Sequence, residues 1–251
     1  MYTPEERTAL REALVEAARS DERVTGAALT GSAALDAEDA WSDIDLAFAV
    51  AGEPEPVVAD FTGRMYREHD AVHHMDVVVG RTVFRVFLLA NTLQVDLAFW
   101  PEADFGATTP KFRLLFGTAQ ELDQVRPPEA RRLIDLAWLH ALHARSSIAR
   151  GRGWQAEYMI GRVREYALAL ACLRHGLPAV EGRGLDRLPA EVTTPFAETL
   201  AGSLDDLDRP FHAVVELLAA EIDRADPGLG ARLTPLLREL AKPGKPVPGA
   251  R

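Results

Sequence analysis

Two aspartates spaced one residue apart, Asp43 and Asp45 in the stretch S-D-I-D-L-A-F-A-V at 42–50, constrain this chain more than any other feature. The run is apolar and β-branched enough to be a strand. Strand side chains alternate with period two, so Asp43, Asp45, Ala47 and Ala49 share one face, and Ile44, Leu46, Phe48 and Val50 share the other. Residues 93–99 repeat the arrangement, with Gln94, Asp96 and Ala98 on one face and Val95, Leu97 and Phe99 opposite. Ahead of both, residues 24–30 (V-T-G-A-A-L-T) read as a strand that runs into Gly31-Ser32. Carboxylates crowded on one sheet face repel one another, and something must neutralise them. A divalent cation does this best, because Mg²⁺ takes carboxylate oxygens together with substrate phosphates. A Gly-Ser turn offers backbone N–H groups to a phosphate, and the missing side chain allows close approach. Asp76, in the strand pattern at 71–79, competes for the place of third carboxylate. Asp96 is preferred because its neighbours reproduce the acid-and-alanine face of 42–50.

The order Gly31-Ser32, ten residues, Asp43-Ile44-Asp45 and a later Asp96 on another strand resembles the nucleotidyltransferases of the DNA polymerase β superfamily. Within it, the small acidic two-part chain is similar to the aminoglycoside and lincosamide nucleotidyltransferases. The resemblance implies that Asp43, Asp45 and Asp96 bind Mg²⁺ and that Gly31 and Ser32 hold the triphosphate of the nucleotide donor, ATP. It also implies a helical part that closes one side of the cleft and can offer a carboxylate to the acceptor hydroxyl, for which Glu157 is the candidate. One departure stands out. Polymerase-type members often carry a basic residue soon after Gly-Ser, whereas Ala33-Ala34-Leu35 follow here. Lys111 and Arg113 are candidates for the missing phosphate cations; the alternative is an exposed basic pair beside buried Phe112 and Phe116.

The resemblance covers roughly the first 100 residues, and the strand and helix patterns extend the reading along the chain. Residues 71–79, 82–90 and 93–99 read as strands, the last two joined as a hairpin through Ala90-Asn91-Thr92. With 24–30 and 42–50 they predict a mixed five-stranded sheet carrying helices on one side, an α+β layer fold. Residues 110–117 read as a short amphipathic piece. From Arg126 only helices are expected, forming an antiparallel bundle. The predicted organisation is a catalytic domain at 1–122, an acceptor-binding helical bundle at 123–241 and a disordered tail at 242–251, rich in Pro and Gly.

Charge and composition narrow the function. A net charge of −10 over 251 residues disfavours a sequence-independent hold on nucleic acid and suits a cationic small molecule. The single cysteine, Cys172, rules out an internal disulfide and a Cys-based zinc site. No apolar run is long enough to span a bilayer, and the N-terminal residues lack a secretory pattern, so a cytoplasmic protein is expected. His140 and His143, three apart on a helix, lack a third ligand and read as helix-surface histidines. Glu157, Gly161 and Arg164 share a polar helix face, which suits a substrate-facing carboxylate or an Arg–Glu pair at a domain interface. The expected activity is Mg²⁺-dependent transfer of a nucleoside monophosphate, AMP from ATP, to a hydroxyl of a small cationic acceptor such as an aminoglycoside-type antibiotic. Two other readings remain: an antitoxin-like nucleotidyltransferase acting on a partner protein, and a non-catalytic nucleotide-binding module.

Overall fold

The computed structural model describes residues 1–242; the expected disordered tail falls, apart from Lys242, outside them. The chain divides into two compact units, Met1–Val125 and the residues from Arg126 onward.

The first unit opens with helix α1 (Pro4–Arg19), started by a capping box in which Thr3 accepts from the Glu6 N–H and Glu6 accepts from the Thr3 N–H. Strand β1 (Val24–Thr30) leads through a single 3₁₀ turn, Ala33–Leu35, to β2 (Ile44–Val50). Helix α2 (Glu55–Glu68) and strands β3 (Ala71–Val79), β4 (Thr82–Leu89) and β5 (Gln94–Pro101) follow. The two-residue strands β6 (Gly106–Ala107) and β8 (Gln120–Glu121) pair with each other and flank β7 (Phe112–Phe116).

The main sheet has the order β3-β4-β5-β2-β1-β7. It is mixed: β2 and β5 run parallel and every other neighbouring pair is antiparallel. It therefore has six strands where five were expected. The sixth is β7, from the stretch read as a short amphipathic piece. F-R-L-L-F does not alternate cleanly, and its strand state is set by the ladder to β1, which spans Ala27–Phe116 to Thr30–Phe112.

The period-two reading of the faces holds. Ile44, Leu46, Phe48 and Val50 pack with Val95, Leu97 and Phe99 beneath Leu14 and Ala18 of α1 and Val58, Phe61 and Met65 of α2. Phe48, Phe61 and Phe99 form a ring cluster with centroids 5.1 to 5.7 Å apart. Truncating any one of these rings to Ala costs about 3–5 kcal/mol. The opposite face is built from small residues, Ala28, Ala47, Ala49 and Ala98, with Phe105 over them. One face thus anchors the sheet, and the other leaves room beside the aspartates.

The second unit is helical: α3 (Ala130–Ala149), α4 (Gly153–Arg174), the short α5 (Ala190–Thr193), α6 (Asp208–Ala225) and α7 (Pro227–Leu240). α3 packs along α4, α4 on α6 and α6 on α7. The three-residue link between the long helices α3 and α4 requires them to run antiparallel. Their shared core includes Ile134, Ala141, Ile160, Ala167, Phe211, Val215 and Leu218, with Cys172 buried among them. Among the described residues, no helix is long and apolar enough to cross a membrane.

Candidate functional site

Asp43 is the residue immediately ahead of β2, and Asp45 is the second residue within it. Parallel pairing sets Asp45 directly beside Asp96 of β5. All three are half-buried, and each offers a carboxylate oxygen within 4.8 Å of the others; this is the one such group of potential metal ligands among the described residues. Burial and the nearby charge of Asp43 push the Asp96 carboxyl up to about 6, against the Gln94 hydrogen bonds that hold it down. The Gln94 amide nitrogen donates to both Asp96 oxygens, at 3.0 and 3.2 Å, and lies 3.4 Å from Asp43 Oδ2. A weak positive dipole thus braces two of the acids. The sequence pattern put Gln94 on this face but gave no sign of that bracing.

Gly31 closes the site on the β1 side. Its φ of +61° is a left-handed conformation, and a Cβ there would stand 1.8 Å from Asp45 Oδ2. The absent side chain is what lets the Asp45 carboxylate lie against the turn. Ser32 follows; its hydroxyl makes no cap bond to the 3₁₀ turn, while its carbonyl accepts from the N–H groups of Leu35 and Ala37. Arg113 of β7 donates to Asp36 at 2.7 Å and to the Ala33 carbonyl at 2.8 Å. It therefore pins the turn that follows Gly31-Ser32. Lys111 sits one step beyond the last registered pair of β1 and β7, Thr30–Phe112, and so lies at the Gly31 end of the sheet. It is exposed.

The loop that delivers Asp43 is tied down from α1. Arg7, 4 % exposed, donates to the carbonyls of Asp39 at 2.6 Å and Ser42 at 3.0 Å, and its Nε lies 3.2 Å from Glu38. Tyr2 donates its hydroxyl to the same Ser42 carbonyl at 2.9 Å, and Arg11 reaches Glu38 at 2.6 Å. Nothing in the sequence distinguished Arg7 from other helix-surface arginines; its role depends on contacts more than thirty residues away.

Asp76, the competing carboxylate, is engaged elsewhere. Arg85 of β4 donates to its two oxygens at 2.7 and 2.6 Å and to Thr62 of α2 at 2.6 Å. The Arg85 hydrogen bonds hold the Asp76 carboxyl below the usual carboxylate range. In the helical unit, Glu157 of α4 lies 3.7 Å from Arg164 Nη2. Arg164 itself donates to the Thr199 hydroxyl at 2.7 Å and to the Thr199 carbonyl at 2.6 Å. Glu157 Oε2 is buried without a hydrogen-bond partner among the described residues.

The acid cluster suits a small divalent cation on its donor chemistry: three carboxylates, hard oxygen ligands, two of them met by the Gln94 amide. The glycine cradle beside them keeps space where a side chain would intrude. Neither the models of known protein families nor the sequences of curated proteins match this chain. Among solved structures it is similar to an aminoglycoside 6-adenyltransferase from Bacillus subtilis, at 13% identity and a TM-score of 0.42, over 97% of this chain and 100% of that one.

Proposed function

We propose that the chain is a Mg²⁺-dependent nucleotidyltransferase that moves a nucleoside monophosphate, AMP from ATP, onto a hydroxyl of a small cationic acceptor of the aminoglycoside type. The observation that carries the reading is the meeting of Asp43, Asp45 and Asp96 within 4.8 Å, beside a turn where only glycine fits. Bound by these three, Mg²⁺ supplies the positive charge that offsets the phosphates and makes an acceptor hydroxyl more acidic.

The chain's own groups divide the remaining work. Gly31 lets the triphosphate approach the backbone, and the Ser32 hydroxyl donates to a phosphate oxygen. Lys111, at the same end of the sheet, adds a positive charge where Ala33-Ala34-Leu35 supply none. Asp96, beside the other two acids, is the first candidate to take the hydroxyl proton. Glu157 is the second candidate for that proton: its Oε2, without a hydrogen-bond partner among the described residues, suits a hydroxyl or ammonium donor on the acceptor. The helical unit then serves as the acceptor-binding part, and the net charge of −10 favours a polyamine-bearing sugar.

The test is incubation with labelled ATP and Mg²⁺ against a panel of aminoglycosides and lincosamides, with pyrophosphate release as the readout. Acceptor-dependent release, and label on a cationic sugar, is the expected result. Release that no small molecule stimulates, with label on a protein instead, overturns the acceptor assignment. A Tm that ignores every nucleoside triphosphate overturns the nucleotide site itself.

A further inference from the structure

Strand β3 forms one edge of the main sheet and β7 the other, and the two edges are built differently. β7 is five residues long, and its Arg113 is held by Asp36 and the Ala33 carbonyl. β3 is nine residues long, and Val72, Met75, Val77, Val78 and Val79 are 45 to 63 % exposed. Long apolar edges invite another strand, and proteins usually guard them with Lys, Pro or a bulge. Residues 71–79 contain no Lys and no Pro. The ladder to β4 slips only between Ala71 and His73 and is regular from there to Val79.

We propose that β3 pairs antiparallel with β3 of a second copy of this chain, about a two-fold axis through Met75, joining the two sheets edge to edge. The register follows from the backbone. Alternate residues direct their N–H and C=O groups to opposite edges of a strand, so a two-fold through an antiparallel pair must pass through a residue and not between residues. Met75 is the midpoint of Ala71–Val79. An axis there sets Met75 against Met75, His73 against Val77, Val72 against Val78 and, on the face that carries Arg85, His74 against Asp76 at both ends. Moving the axis by one residue sets Asp76 against Asp76 or His74 against His74. Directly opposed like charges, as in Asp76 against Asp76, destabilise a pair, whereas hydrogen-bonding pairs add about 0.2–1 kcal/mol each; His74 against His74 sets no carboxylate opposite either imidazole. The full-length overlap is therefore also the one that pairs donor with acceptor. His74 Nδ1 already meets the Tyr66 hydroxyl at 2.9 Å. With Tyr66 donating to that nitrogen, Nε2–H is the donor left for Asp76 of the second copy, whose charge Arg85 keeps in place. The interface is isologous and closes after two chains, because each β3 edge is used up by the other.

Sedimentation equilibrium over a micromolar concentration series reads the assembly, and cysteine cross-linking in a Cys172→Ala background reads the register. The parent chain should sediment at twice the mass of one chain. Met75→Lys and Val78→Lys should return it to single-chain mass with an unchanged circular dichroism spectrum, since both positions are exposed and Lys there does not disturb the core. Met75→Cys should form a disulfide-linked pair on mild oxidation, because the axis puts each copy of the residue against itself; Val78→Cys alone should not. The proposal is overturned by a parent that stays at single-chain mass throughout, including one whose β3 binds an extended peptide instead. It is overturned equally by a double mass that survives Met75→Lys, or by Val78→Cys cross-linking as readily as Met75→Cys.

Discussion

Asp45 and Asp96 stand side by side at one register position of two parallel strands. Neighbouring strands lie about 4.8 Å apart, so two like charges are fixed at close range with Asp43 beside them. Folding does not choose such an arrangement for stability. The Phe48, Phe61 and Phe99 cluster on the reverse face of the sheet supplies the burial that holds the strands in register against the repulsion.

Conversion of Asp43, Asp45 or Asp96 to Asn should abolish nucleotidyl transfer, and Asp43→Asn and Asp96→Asn should leave the fold as stable as the parent or more so, because a charge is removed from a repulsive group. Changes in residues that merely support a metal ligand cost about 10–100-fold, so loss of a ligand should cost more than that. Mg²⁺ should raise the Tm of the parent but raise it far less in each variant, a readout independent of turnover. Activity within a few-fold of the parent in any of the three would defeat the assignment.

Gly31→Ala separates the backbone requirement from the contact with Asp45. The left-handed conformation costs an alanine about 1–2 kcal/mol wherever it occurs. Gly52, with a φ of +76° and nothing within 4 Å of an added Cβ, carries that cost alone. Thermal melts should therefore show a loss for both Gly31→Ala and Gly52→Ala. Turnover should fall only for Gly31→Ala, whose methyl group must displace the Asp45 carboxylate. Equal activity in the two variants would mean that the close approach of Gly31 to Asp45 has no part in the site.

Asp76 gives a pH dependence of known sign. Its folded carboxyl lies below the usual carboxylate range because of Arg85, so its contribution to stability is present above the unfolded value of about 3.9 and is lost as pH falls through the lower folded one. The pair is partly exposed, which keeps the contribution to about 1 kcal/mol or less. Asp76→Asn should lower the denaturant midpoint at pH 7, by less as pH falls below about 3.9, and leave turnover intact. A variant that loses turnover at unchanged stability would move Asp76 into the site.

The local part of this architecture was legible, and the long-range part was not. Period two alone put Asp43 and Asp45 on one face, Asp96 on its own acid-and-alanine face, and Phe48 and Phe99 in the core, because alternation is a property of a single strand. That β2 and β5 are parallel neighbours could not be read, since α2, β3 and β4 intervene and no short-range pattern encodes a crossover pairing. β7 was missed for the same reason: Phe112 to Phe116 becomes a strand through β1, some eighty residues earlier in the chain. Arg7 and Arg113, which hold the two ends of the connection between β1 and β2, look in sequence like any other surface arginines. The Glu157–Arg164 spacing was visible, whereas the hold of Thr199 on Arg164 was not.

That hold makes Glu157 testable without disturbing its surroundings. Arg164 is anchored to the Thr199 hydroxyl and carbonyl, and its 3.7 Å approach to Glu157 Oε1 is the weaker contact. Glu157→Gln should therefore leave Arg164 in place and cost no more than about 1 kcal/mol in a melt. The Tm shift produced by ATP with Mg²⁺ should persist, because no phosphate ligand is altered. Turnover with a cationic acceptor should fall by more than tenfold, and the acceptor KM should rise with salt in the parent, as attraction between exposed charges is screened over about 8 Å at physiological ionic strength. The same salt series on Glu157→Gln should show a shallower rise. If Glu157→Gln turns over like the parent while Asp96→Asn does not, Asp96 alone accepts the proton and Glu157 is the counter-ion of Arg164.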